Sequence, residues 1–348
     1  RPSVGIVLYI IVMAVGMTIP AIWAAHGRAL WIRVMLWASL GFLAVPALWA
    51  IDRGNVVGFA VPFMMIAVVA IARDKMLLAA IGIALAAAMK PQFGLAIIIF
   101  MILGRWIWLL IAGGIAALVQ LIPFLLWPAD FPGTIFQALR GMFAFGGQNT
   151  LSVPIPSSVS WAKGPYLLYE WFIAPFRGGG NSVERHQTLV AVIIVLALIA
   201  VLVITRNTTP PSVSLALLFL ISALALPTAF TYYYIAVLPL AAIALRDPAE
   251  PRPSQDRTTV FRGVFELGER KSWAEFLWAA FLAVTLAASI SRVFFPKTMG
   301  PEMPFLVYTT ADFVTLMWTV AIPGYLITRM VVRRTRERAL VTEDPSVV

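Results

Sequence analysis

Lys90 stands between two long apolar runs, in Ala88-Met89-Lys90-Pro91-Gln92-Phe93-Gly94. An ammonium at membrane depth is costly, and a proline removes a backbone donor and breaks the turn before it. Such a break persists where it lines a protein cavity or meets water. Ahead of Lys90 runs a small-residue stretch, Ala80 to Ala88, of the kind that lets helices approach closely. A lysine in that crevice can neutralise a lipid-linked phosphate as a point charge. The competing reading is a lysine snorkelling from a helix end.

A second polar cluster, Asp52-Arg53-Gly54-Asn55, lies one out-and-back pair of segments upstream. Arg53 can assist Lys90 or simply pair with Asp52. The Asp52 carboxylate could accept a proton as a general base, although an Asp-Arg pair at a helix start is more often structural. Gly146-Gly147-Gln148-Asn149-Thr150-Leu151-Ser152 offers amides and hydroxyls of the kind that hydrogen-bond sugar hydroxyls. In Leu226-Pro227-Thr228-Ala229-Phe230-Thr231-Tyr232-Tyr233-Tyr234, the tyrosines could donate to a phosphate or stack beneath a sugar ring. The alternative is an interfacial aromatic belt. The binding candidates are thus Lys90, Arg53, Asn55, Gln92, Gln148, Asn149, Tyr232 and Tyr233, with Asp52 a weak catalytic one.

The elements that must position these groups are membrane helices. The chain has 348 residues, 61% hydrophobic and 12% charged, with a mean hydropathy of +0.90. A soluble domain would carry roughly 25% charged residues. Continuous stretches such as 4–23 and 189–205 speak against a β-barrel, whose strands alternate. The expectation is an all-α polytopic membrane protein with about eleven apolar segments. They run over 4–23, 33–50, 55–72, 76–89, 93–104, 106–127, 189–205, 212–226, 231–245, 273–293 and 312–332. Several fall short of the ~20 residues of a straight crossing and are expected to be tilted, shallow or re-entrant. Cysteine is absent and the two histidines, His26 and His186, are far apart, so neither a disulfide framework nor a metal site is expected. No cofactor is called for. The net charge of +10 fits basic loops facing anionic lipid better than nucleic acid, because no aromatic-interleaved basic patch exists.

Charge bias sets the orientation. Arg246, Arg252, Arg257, Arg262, Arg270 and Lys271 cluster in one loop, and Arg329, Arg333, Arg334, Arg336 and Arg338 near the end. The positive-inside rule places both in the cytoplasm, and counting back puts Arg28, Arg33, Arg73, Lys75, Arg105 and Arg206 there too. Asp52–Asn55, Lys90–Gln92, the 128–188 loop, the tyrosine run and 294–310 then face outward. Three regions result: membrane helices over 1–127 carrying the Asp52 and Lys90 clusters, the outer loop over 128–188, and helices over 189–348. The last region contains the cytoplasmic loop 246–272 and basic tail 333–348. Within the outer loop, Phe136, Leu139, Met142 and Phe143, and then the run from Tyr166 to Phe172, read as helices lying in the membrane interface. A lid that only packs on the bundle is the alternative. This topology starts with Arg1 outside, which suggests an earlier crossing.

Asp52-Arg53-Gly54-Asn55-Val56-Val57-Gly58, followed by an apolar run and the Ala-rich approach to Met89-Lys90-Pro91, resembles glycosyltransferase family 87. These are membrane enzymes of the C-fold type, among them polyprenyl-phosphate-mannose-dependent mannosyltransferases and an arabinofuranosyltransferase. Gln148-Asn149-Thr150-Leu151-Ser152 looks like a family Asn-Gln-Ser-Leu segment in altered order, and Leu226-Pro227 with Leu238-Pro239 is similar to a third. The likeness runs over most of 40–245.

It implies an inverting transfer of mannose or arabinofuranose from a polyprenyl-phosphate donor to a glycolipid or cell-envelope polysaccharide acceptor. The reaction would occur on the outer face of the plasma membrane, with Lys90 near the donor phosphate. Tyrosines at Tyr232-Tyr233-Tyr234, where the mannosyltransferases tend to have histidines, leave the sugar open. The family's catalytic aspartate would lie upstream of Arg1. The alternative from another class is a lipid-linked sugar transporter or flippase, which also uses broken helices; a transporter would be expected to show two related halves, and no internal repeat is found.

Overall fold

Residues in the left-handed backbone region, Gly27, Gly54, Asp74 and Gly104, follow helix ends. Pro91 stands just after the end of another helix, whereas Pro20, Pro62, Pro123 and Pro323 lie inside helices. The computed structural model describes residues 2–126, 133–137, 140–141, 159–173, 176, 183, 186–226, 229–249, 273–288, 292–296 and 305–343. The chain opens with α1 (Pro2–Ala25), α2 (Leu30–Leu36), a π-helical stretch (Trp37–Phe42) and α3 (Val45–Asp52). Helices α4 (Val57–Ala72) and α5 (Met76–Met89) follow. Next come a 3-10 segment (Pro91–Ile97) running into α6 (Ile98–Ile102), and then α7 (Trp106–Leu126). The second half holds α8 (Lys163–Phe172), α9 (Gln187–Ile204) and α10 (Pro211–Ala223). A second 3-10 segment (Thr231–Val237) leads directly into α11 (Leu238–Leu245), followed by α12 (Trp273–Leu286). A short hairpin, β1 (Arg292–Pro296) and β2 (Phe305–Thr309), precedes α13 (Thr310–Glu343).

The chain is an α-helical membrane protein. Among the described residues, four helices are long and apolar enough to cross a bilayer: Val4–Ala25, Trp106–Pro123, Gln187–Ile204 and Thr310–Thr335. A fifth arises if the pair Leu30–Gly41 and Val45–Asp52, bent by 53°, is one span. The other apolar helices are too short to span alone: at 1.5 Å per residue, the 14 residues of α5 cover only about 21 Å. Eleven separate crossings are therefore not established. One correction concerns the C-terminal part. The expected segment 273–293 stops being helical at Leu286, and 292–309 contains an antiparallel hairpin pairing Arg292 with Thr309 and Phe294 with Val307. Through the basic stretch after Arg329, α13 continues as a helix to Glu343.

Three helices end alike. Asn55, Lys75 and Arg105 donate their backbone N–H groups to Ala50, Ala70 and Phe100, closing the same six-residue loop over Gly54, Asp74 and Gly104. The last three have φ of 55°, 54° and 69°. Glycine enters that region freely; Asp74 does so at a steric cost.

The small-residue expectation holds. Ala79, Ala80, Ile83, Ala84, Ala86 and Ala87 of α5 are buried, and α5 lies so close to α4 that a Cβ on Gly82 would stand 2.9 Å from the Phe63 carbonyl oxygen. Gly58 of α4 meets α1 in the same way, where a Cβ would be 2.6 Å from Met13 Cγ.

Candidate functional site

Pro91 determines the local backbone. The residue before a proline is driven out of the helical region, and Lys90 accordingly has φ −147° and ψ 111°, ending α5. Pro91 also lacks the N–H that would have bonded Ala87 four residues back. Gln120 of α7 supplies the replacement, donating from Nε2 to the Ala87 carbonyl at 2.7 Å. The break is thereby tolerated inside an apolar bundle, because the freed carbonyl is satisfied by a neighbouring helix.

The second interruption is built alike. Phe230, extended at φ −101° and ψ 158°, leads into the seven-residue 3-10 segment Thr231–Val237. Its gap from α10 is filled by the residues just before α8: Val159 N–H donates to Ala229 O at 2.6 Å and Trp161 N–H to Leu224 O at 3.1 Å. The Trp161 indole donates to Ile221 O at 2.8 Å. A buried ion pair secures that wedge, with Lys163 Nζ 3.8 Å from Asp312 Oδ1. Asp312 also accepts from Thr309 N–H at 2.8 Å, which caps the start of α13. Trp171 stacks on Phe313, with ring centroids 5.6 Å apart. The Tyr166–Phe172 run is thus one flank of a helix docked on the bundle, with Tyr166 and Leu167 buried.

The two breaks come together. The Lys90 ammonium lies over the Tyr233 ring, 5.8 Å from its centroid. Tyr233 is 4.9 Å from the Tyr232 ring, which in turn stacks on Phe230 at 5.4 Å. Arg53 follows the end of α3, which packs against the 3-10 segment that carries Tyr232. Lys90, Arg53, Tyr232 and Tyr233, from three separate stretches of sequence, thus form one cluster. Among the described residues no carboxylate lies within 4 Å of Lys90.

Other expected residues behave differently. Asn55 is spent on the backbone, its Oδ1 accepting from Val57 N–H at 3.1 Å. Gln92 adjoins Lys90 with a buried Nε2 that has no partner among the described residues. Gln148 and Asn149 lie outside the described residues. Asp52 sits at the end of α3, not at a helix start, and is exposed with its carboxylate 3.6 Å from Arg53 Nε. The Arg53 guanidinium also rests over Trp49 at 5.4 Å. Tyr234 turns away from its neighbours: it is fully buried and donates to Ala311 O at 2.7 Å.

Sequence reasoning missed Gln120, the Lys163–Asp312 pair and Tyr9. The Tyr9 hydroxyl donates to Gly54 O at 2.8 Å, and Tyr9, Ile6, Ile10 and Gly54 wall a cavity of about 620 Å³ that opens on Asp52 and Arg53. A tyrosine inside an otherwise apolar helix was the available signal for Tyr9. The single amide in α7 was the signal for Gln120.

No curated protein and no solved structure matches this chain. Compared with protein-family models, residues 2–227 match Glycosyltransferase family 87. The match starts well ahead of the expected residue 40 and stops short of Tyr232 and Leu238-Pro239, while it includes both the Asp52–Asn55 and Lys90–Gln92 clusters. With well over half of its 348 residues covered, this helical membrane protein belongs to glycosyltransferase family 87.

Proposed function

We propose that the chain transfers a sugar, mannose or arabinofuranose, from a polyprenyl-phosphate donor to a glycolipid or cell-envelope polysaccharide acceptor, with inversion at the anomeric carbon. The site faces the outside of the plasma membrane. The observation that carries this reading is a cation held in place but not neutralised: Lys90 at a helix break, over an aromatic ring, with no carboxylate within 4 Å among the described residues. As the acceptor oxygen attacks the anomeric carbon, the bond to the phosphate breaks and its electron pair leaves with polyprenyl phosphate. The Lys90 ammonium stabilises that charge. At 4 Å and an effective dielectric near 20, a lysine–phosphate contact is worth about 4 kcal/mol before desolvation. The half-buried rings of Tyr232 and Phe230 provide an aromatic face against which a sugar ring can lie, with Tyr233 buried beside them, and the Gln92 amide and Arg53 add donors for its oxygens. The acceptor hydroxyl's proton requires a base; Asp52 is read as the partner of Arg53 and not as that base.

The two interrupted helices meeting at one cluster also suit a lipid-linked sugar flippase, and one assay separates the readings. Purified protein in detergent micelles, given radiolabelled polyprenyl-phosphate sugar and a membrane-extracted glycolipid acceptor, should form labelled product, which a flippase cannot do because it makes no glycosidic bond. Lys90→Ala should lower that rate on the order of a hundredfold at unchanged folding, and Lys90→Arg should retain part of it. Full activity of Lys90→Ala would overturn the phosphate role.

A further inference from the structure

The end of the bundle opposite Lys90 carries a second cavity, of about 530 Å³, between the α4–α5 turn and the α6–α7 turn. Asp74, Lys75 and Arg105 form its polar rim, and Leu77, Leu78 and Trp108 line its wall. Lys75 and Arg105 occupy the same position in two equivalent turns, each the residue after a left-handed one, and both border this cavity. Arg105 Nη2 is 3.7 Å from Asp74 Oδ1, in a pair more than half exposed. Lys75 makes no ion pair or hydrogen bond through its ammonium among the described residues. Two cations against one carboxylate leave one unit of positive charge, directly beside leucines that are half exposed on the outer surface of the helices. An uncompensated charge at the hydrocarbon boundary calls for a counter-charge that itself belongs to the bilayer.

We propose that this cavity binds the headgroup phosphate of an anionic glycerophospholipid. Lys75 and Arg105 contact the phosphodiester, the Trp108 ring lies at headgroup level, and an acyl chain runs along Leu77 and Leu78. One phosphodiester monoanion matches the surplus charge of the rim, and the apolar wall distinguishes the site from a pocket for free phosphate. The proposal is independent of the reading of Lys90.

The test is native mass spectrometry of the full chain released from detergent micelles doped with equal phosphatidylglycerol and phosphatidylcholine. Phosphatidylglycerol should be retained preferentially, by about fivefold for each contacting cation. Lys75→Gln with Arg105→Gln should abolish the preference, whereas Lys75→Arg with Arg105→Lys should keep it. Asp74→Asn tolerates the left-handed backbone and removes the opposing carboxylate, so it should strengthen the preference. Arg334→Gln, an exposed cation elsewhere at the same end, should leave it unchanged. Equal retention of both lipids, a preference that survives the double glutamine variant, or its loss in 10 mM inorganic phosphate without added salt effects would each overturn the proposal.

Discussion

A lysine can be tolerated at a helix break in two ways, by a carboxylate or by groups that hold it without cancelling its charge. Tyr233 does the second for Lys90, because an aromatic face attracts an ammonium yet leaves its charge available. The proline beside it creates a separate problem, an Ala87 carbonyl with no helical donor, which Gln120 solves from another helix. Replacing Gln120 by leucine keeps the volume and apolar character but strands that carbonyl. Hydrogen bonds between membrane helices average ~0.6 kcal/mol and reach ~1.7, and a buried unsatisfied group costs about 1–3 kcal/mol. Gln120→Leu should therefore lose about 1 kcal/mol in detergent unfolding. It should also lower transfer activity more than the stability loss explains, because the Lys90 turn is no longer fixed. Unchanged unfolding and unchanged rate together would remove Gln120 from this role.

At the scale of elements, the segment 159–172 is what allows α10 to stop and restart. Val159 and Trp161 take up the carbonyls at the gap, Thr315 of α13 donates to Val159 O at 3.1 Å, and Lys163 pairs with Asp312 in a site where both side chains are less than one tenth exposed. Removing one member of a buried ion pair leaves the other uncompensated, typically at 3–5 kcal/mol, whereas replacing both is far milder. Lys163→Met should thus destabilise by about 3 kcal/mol, and the double variant with Asp312→Leu should cost clearly less than the sum of the single changes. Denaturant titration of the four proteins checks this, and strict additivity would show that the two do not act as a pair.

The same elements show what the sequence makes legible. Lys90-Pro91 stands out because its charge and its backbone defect are local, and the alanine run before it announces close packing. Gln120 bonding Ala87, and Lys163 meeting Asp312, join residues far apart in the chain, which periodicity does not encode. Gly54 and Asn55 suit both ends of a helix, so sequence alone does not distinguish a start from an end at Asp52; the left-handed Gly54 makes it an end. The 292–309 hairpin escaped notice because its first strand continues the apolar composition of α12.

The whole molecule has two chemically unlike ends, about 36 Å apart along the 24 residues of α1. Tyr9, Gly54, Lys90 and Tyr233 belong to one. At the other, arginines hold helix C-termini and the turns after them. Arg246 donates to Trp23 O at 2.8 Å and lies over its ring, Arg28 donates to Ala24 O at 3.2 Å and also to Leu245 O, and Arg73 donates to Pro248 O at 3.0 Å. Arg329 and Arg333 donate at 2.9 Å to Thr208 O and Asn207 O, pinning α13 to the turn after α9. These arginines therefore do more than bias orientation. Arg28 and Arg246 neutralise the negative ends of α1 and α11, and the others tie down the turns that follow α9 and α11. Bundle packing and the positive-inside rule act on the same residues, and it is the rule alone that argues for this end in the cytoplasm. Because the chain has no cysteine, single cysteines report sidedness directly. Val56→Cys, exposed beside the Arg53 cluster, should react with a membrane-impermeant maleimide in intact cells, and Arg334→Cys only after permeabilisation. The reverse pattern would invert the orientation and place sugar transfer on the inner face, and labelling of both from outside would break the two-ended arrangement itself.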